Sequence, residues 1–150
     1  RFFALPQFYL GAAFGWAVPM AFVATTGTVP RTGWLVFIAT LLWSGVYDTL
    51  YAMVDRDDDL KLGVQSTAIA FGDMDTLIVG VMQAMVLGAM VLAGRLVGMH
   101  WPFYLSLAAG ALLFAWQQWQ VRNRERDACF RAFLNNHWVG LVIMVGVALG

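Results

Sequence analysis

Asp48, Asp55, Asp58 and Asp59, with Arg56 and Lys61 set among them, are the residues whose types and spacing could do chemistry. Read as a helix at about 100° per residue, Asp48, Asp55 and Asp59 fall within about 40° of one line. Tyr47 and Tyr51 keep to that side, Asp57 points roughly the opposite way, and Asp58 lies between the two. Like charges raise one another's pKa, so a ladder of carboxylates is costly unless something cationic sits against it. A hard divalent cation bridging carboxylates to phosphate oxygens answers that cost, and Mg²⁺ is the usual ion. The plain alternative is a solvated Asp-rich loop after an apolar helix. Asp48 opposes it, because an ionisable side chain inside a membrane span is a functional hypothesis by default. Asp57 reads as solvated.

The elements that must position these residues are membrane helices. The chain is 61% hydrophobic and only 12% charged, about half the charged fraction of a soluble domain. It reads as all-α, an integral membrane helical bundle. Formal net charge is zero, which gives nucleic-acid binding no electrostatic support. The lone Cys129 excludes an internal disulfide and a cysteine metal site, and beside Phe130 it reads as packing. The sequence starts at Arg1 without a methionine and stops at Gly150 within an apolar run, so both ends read as cuts in a longer protein.

Five spans are expected, near 8–25, 33–55, 76–94, 101–119 and 137–150. Pro19 should kink the first, and Gly11 and Gly15 are spaced for close helix contact. The second carries the apolar run from Gly33 to Val46 and ends in the carboxylate mouth, which a polar connection from Arg56 to Thr67 caps. Asp73 and Asp75 suit the positive end of the third helix and read as caps before metal ligands. Gln83, deep in that span, reads as an interhelical hydrogen bond. Trp101, Trp116 and Trp119 anchor the fourth at the interface, and residues 120–136 read as a short interfacial helix before the fifth. His100 and His137 sit at span edges, facing headgroups and water. If the spans alternate, the side holding Arg1, the Asp-rich mouth and the Arg122–Arg131 segment carries seven of the nine Lys and Arg residues. The mouth then faces the cytoplasm.

Such a mouth suits a lipid that carries a diphosphate. Mg²⁺ would lie between the phosphate oxygens and Asp55 and Asp59, while Arg56 and Lys61 neutralise the leaving group. That arrangement favours ionising an allylic diphosphate to a carbocation, with the ring faces of Tyr47 and Tyr51 as shields. Both tyrosines read equally well as interfacial aromatics.

The run Asp48-x6-Asp55-Arg56-Asp57-Asp58-Asp59-x-Lys61-x-Gly63-x2-Ser66-Thr67-Ala68 resembles the second aspartate-rich motif of the UbiA superfamily of membrane prenyltransferases, closest to its 4-hydroxybenzoate polyprenyltransferase branch. Leu5-Pro6-Gln7, Phe14-Gly15-Trp16 and Asn123-Arg124-Glu125-Arg126-Asp127-Ala128-Cys129-Phe130 agree with that branch in the same order. The resemblance implies a nine-helix fold of which about five transmembrane helices, the C-terminal part, are present. It implies Asp55, Asp59 and Asp58 at the metal, with Arg56 and Lys61 at the diphosphate. Arg1 is implied at the acceptor carboxylate or the diphosphate, and Asp48 as an acceptor behind the ligands. The reaction implied is Mg²⁺-dependent transfer of a polyprenyl group from polyprenyl diphosphate to the ring carbon ortho to the hydroxyl of 4-hydroxybenzoate, in ubiquinone biosynthesis at a bacterial inner membrane. The family's first motif, N-D-x2-D-x3-D, has no counterpart here. The missing N-terminal helices are thus a required partner, beside membrane lipid, and the chain alone is expected to be inactive.

Three rivals stand beside this reading. A CDP-alcohol phosphotransferase needs D-G-x2-A-R followed by G-x3-D-x3-D, and no Asp-Gly pair precedes an Ala-Arg pair here. Within the superfamily the acceptor could instead be a naphthoate, a homogentisate, a chlorophyllide or a haem. A non-enzymatic membrane bundle would also account for Asp48, but the polar mouth lies on one side only, which opposes a through-pore.

Overall fold

The computed structural model describes residues 6–63 and 66–150. Within these residues seven α-helices follow one another: α1 (Pro6–Gly15), α2 (Ala17–Thr26), α3 (Arg31–Leu62), α4 (Thr67–Phe71), α5 (Asp75–Val97), α6 (Trp101–Val121) and α7 (Arg126–Leu149). A 3₁₀ turn, Gly72–Met74, joins α4 to α5, and no strand occurs among the described residues. The all-α membrane architecture expected from composition is the one that forms.

The bundle is built on α3, against which α1, α2, α4, α5 and α7 all pack, while α6 lies on α5 and α7. Its 32 residues extend about 48 Å at 1.5 Å per residue, against a hydrocarbon core of about 30 Å. From Arg31, about 20 residues cross that core and reach the level of Leu50. Asp48 therefore stands at its margin, and Asp55 to Asp59 project beyond it. The span expected to end near Asp55 continues as helix to Leu62, because nothing breaks the backbone ladder before Gly63. That glycine takes a left-handed φ of 68° and closes its N–H on the carbonyl of Asp59, the usual helix stop where a Cβ would be penalised. The polar connection expected over residues 56–67 is correspondingly shorter, and the Asp-rich run is helical throughout.

Other boundaries also move for identifiable reasons. The first span divides into α1 and α2 at Trp16, because Pro19 cannot donate to the Gly15 carbonyl and its ring crowds that group. Gly11 and Gly15 do give close contact. A Cβ added at Gly11 would lie 2.9 Å from Ser44 Cβ, and one at Gly15 would lie 3.3 Å from Phe37 Cε2, both on α3. The interfacial helix expected over 120–136 does not form as a separate element: residues 120–121 end α6, 122–125 make the turn, and 126–136 are the first part of α7. Ala128, Cys129 and Ala132 are buried in the bundle, while Arg126 and Arg131 stay outside, so the helix crosses without interruption. Cys129 is a packing residue, as its setting beside Phe130 suggested.

Among the described residues, four segments are long and apolar enough to cross a membrane: Tyr9–Thr26, Arg31–Leu62, Thr67–Val97 and Arg126–Leu149. The helix expected as the fourth span, α6, has 21 residues but is not among them. Its glutamines lower its hydropathy. They are turned inward: Gln83 Nε2 donates to Gln117 Oε1 at 2.8 Å, and Gln117 Nε2 donates to Asn135 Oδ1 at 2.9 Å. These bonds tie α5 to α6 and α6 to α7, as expected for Gln83. The outward face of α5 carries Leu77, Val81, Met85, Leu92 and Leu96. A helix apolar on both its inner and outer faces belongs in lipid.

Candidate active site

The carboxylates stand on the projecting end of α3. Asp48 Oδ2 is buried and has no hydrogen-bond partner among the described residues. An orphaned buried oxygen of this kind is uncommon in a folded protein. One turn to the N-terminal side, Ser44 Oγ donates to Tyr47 Oη at 3.1 Å. Tyr47 and Tyr51 lean against Phe133 of α7, with ring centroids 6.4 Å and 5.2 Å away, and Phe133 stacks on Phe130. An aromatic wall therefore joins α3 to α7 beside the carboxylates.

Toward the helix end the carboxylates differ from one another. Asp55 Oδ1 lies 3.7 Å from Arg126 Nη2, and Asp58 Oδ2 lies 3.3 Å from Arg126 Nη1, so a single guanidinium bridges the two. Lys61 pairs with Asp58 at 3.4 Å and is well exposed. Among the described residues it makes no ion pair with Asp55. Asp59 is half-buried and makes no ion pair among the described residues. Asp57 is exposed. Arg56 is turned from the Asp48–Asp55–Asp59 line toward Asp75. Arg1 falls outside the described residues.

No group of three His, Cys, Asp or Glu side chains converges on a metal position among the described residues. The donors that do share a face, Asp55 and Asp59 at i and i+4, are all-oxygen. Mg²⁺ is commonly held by one or two carboxylates together with waters and substrate phosphates. In donor chemistry the two carboxylates are compatible with a hard divalent cation, and in number they are fewer than the three that would mark a metal position.

The sequence did not reveal the cluster beside this face. Asp75, the first residue of α5, is fully buried. Its Oδ1 accepts from the Thr76 N–H at 2.6 Å, the helix-end role expected of it. Arg124 adds Nε at 2.9 Å to Oδ1 and 3.2 Å to Oδ2, and its Nη2 also donates to the Asp73 carbonyl at 2.7 Å. Arg56 Nη1 reaches Oδ2 from α3 at 3.5 Å. Arg124 is the non-glycine residue with a left-handed backbone, φ 55°, among those described. That conformation is uncommon for a side chain of its size and is held by the contacts around it. The hydrogen bond to Asp75 holds the Arg124 guanidinium above its usual pKa, against the opposing effect of desolvation. Asn123-Arg124-Glu125-Arg126 was conspicuous in the sequence, but nothing local links it to Asp75, 49 residues away.

The pattern of the UbiA prenyltransferase family matches residues 1–140. Among curated proteins, the chain is 56% identical over 149 residues to a 4-hydroxybenzoate octaprenyltransferase of Alkalilimnicola ehrlichii, covering 99% of this chain and 51% of the relative. A protein of the same name from Enterobacter sp. (strain 638) is also 56% identical, with 52% of its length covered, and one from Escherichia coli O9:H4 is 53% identical, with 51% covered. The chain spans about half the length of these relatives. No solved structure gives a significant match. A family match over nearly the whole chain, on an all-α membrane bundle, places this protein in the UbiA prenyltransferase family.

Proposed function

We propose that the chain is the C-terminal part of a single transmembrane prenyltransferase domain. Its reaction is Mg²⁺-dependent transfer of a polyprenyl group from polyprenyl diphosphate to 4-hydroxybenzoate, at the ring carbon ortho to the hydroxyl. The observation that carries this reading is the identity of 53–56% to 4-hydroxybenzoate octaprenyltransferases across 99% of the chain. The continuous helix that sets Asp48, Asp55 and Asp59 on one line supports it from the side of the chemistry.

Asp55 and Asp59 would hold the ion, with Asp58 beside them, and Asp48, whose buried Oδ2 has no partner among the described residues, would stand behind them as a hydrogen-bond acceptor. When bound, Mg²⁺ supplies charge neutralisation at the diphosphate. Arg56 and Lys61 add positive charge along the same helix end, and Arg1 is assigned to the acceptor carboxylate or the diphosphate. Tyr47, Tyr51 and Phe133 give the reacting carbon a wall of ring faces, which stabilise developing positive charge and exclude water. The remaining ligands come from the helices that precede this segment, so the segment alone is inactive. The mouth faces the cytoplasm at a bacterial inner membrane, and the product feeds ubiquinone biosynthesis.

The test is formation of prenylated 4-hydroxybenzoate by the whole protein in membranes, with and without Mg²⁺, beside Asp55→Ala. Product that requires the metal and is lost in the variant is expected. A correctly inserted protein that prenylates a naphthoate or a homogentisate, and not 4-hydroxybenzoate, would reassign the acceptor.

A further inference from the structure

At the pole of the bundle opposite the Asp-rich mouth, a groove of about 480 Å³ runs between α3 and α5, with Arg31 and Arg95 at its lip. We infer that this groove binds an anionic phospholipid. The two guanidiniums take its phosphate, and an acyl chain lies along the apolar floor beneath them.

The positive charge at this pole has no counterpart in the protein. Arg31 opens α3 and Arg95 stands in the last turn of α5, so two helices running in opposite directions bring both to one groove. All nine acidic residues lie elsewhere. Along these two helices the first carboxylates met are Asp48 and Asp75, about 25 Å and 30 Å away at 1.5 Å per residue. At physiological ionic strength charges are screened over about 8 Å, so neither offsets the pair. Arg31 and Arg95 accordingly make no ion pair among the described residues, whereas Arg56, Arg124 and Arg126 at the other pole each face a carboxylate.

Beneath the lip the groove is apolar. Trp34 and Ile38 follow Arg31 at successive turns of α3, and Leu92 lies one turn below Arg95 on α5. Each of the three is about half exposed, at 44%, 46% and 53%. From Arg31 to Ile38 the floor extends about 10 Å along the helix axis. A cationic lip, a tryptophan at its edge and an apolar floor toward the bilayer centre repeat the order of a phospholipid from headgroup to chain. A free phosphate would engage the lip and leave the floor uncovered. The guanidinium fork matches phosphate oxygens, and two unbalanced cations repel the ammonium of a zwitterionic headgroup. Prenyl transfer at the opposite pole has no bearing on this site.

The experiment uses the whole protein in nonionic-detergent micelles carrying equal amounts of phosphatidylglycerol and phosphatidylcholine, with retained lipid counted by native mass spectrometry. Wild type should retain phosphatidylglycerol in preference to phosphatidylcholine. Arg31→Gln combined with Arg95→Gln should lower that retention by about tenfold or more. Ile38→Trp, which fills the floor and keeps both arginines, should lower it too. Arg122→Gln, at the far end of α6 where the guanidinium stacks on Trp119, should leave it unchanged. Both groove arginines are exposed, and either single substitution decides the matter if the double variant does not fold. Equal retention of the two lipids, or retention indifferent to both arginines, would overturn the inference. The second result is the one expected if the helices that precede this segment fill the groove. Displacement of the lipid by an equal concentration of glycerol phosphate, with Ile38→Trp without effect, would also overturn it by showing a bare anion site.

Discussion

The two acidic regions at this end of the bundle are opposites. Asp75 is buried, saturated by two guanidiniums and a backbone N–H, and ties α3, α5 and the α6–α7 turn together. On α3, among the described residues, Asp48 leaves an oxygen buried without a partner, Asp59 has no ion pair, and Asp55 and Asp58 share one exposed arginine. A buried carboxylate with all its partners holds a fold together. Carboxylates kept close together and left short of partners cost stability, and that cost is explicable where a ligand supplies the missing charge.

Substitutions on the two regions should therefore differ in sign as well as size. The largest effect is expected for Asp55→Ala in the whole protein, where prenyl transfer measured at saturating substrate should fall by at least about a hundredfold, with the unfolding midpoint in detergent little changed. Asp75→Asn should behave in the opposite way. Removing the charge strands two partly buried guanidiniums, and thermal unfolding should show a loss of about 3 kcal/mol. The sharpest comparison is Asp48→Asn. Replacing the orphaned carboxylate by an amide should raise stability by about 1 kcal/mol while slowing transfer. A drop in melting temperature there would erase the contrast. The smallest effect belongs to Lys61→Ala, whose exposed pair with Asp58 should contribute under about 0.5 kcal/mol in chemical unfolding.

What could be read from the sequence follows from how locally each feature is encoded. Asp48, Asp55 and Asp59 share one helix, so their alignment needed only the helical period. Gly11 and Gly15 announced a close approach because small residues one turn apart have few other uses in a membrane helix. Asp75 was legible only as a helix-end residue, since Arg56 and Arg124 come from segments 19 and 49 residues away. The end of α3 was misplaced for a different reason. Polarity marks where a helix leaves lipid, while the backbone ladder stops where a glycine at Gly63 lets it stop, and here the two positions are separated by two turns.

The central claim is that the Asp-rich end of α3 is one part of a catalytic site whose remainder lies on helices outside this segment. The most direct measurement is prenyl transfer to 4-hydroxybenzoate by residues 1–150 inserted alone in membranes, and by the same segment co-expressed with the N-terminal half of a family member. Silence from the segment alone, and Mg²⁺-dependent product from the pair that vanishes with Asp55→Ala, is the predicted result. Turnover by the isolated segment, or product from the pair that survives Asp55→Ala, would contradict it.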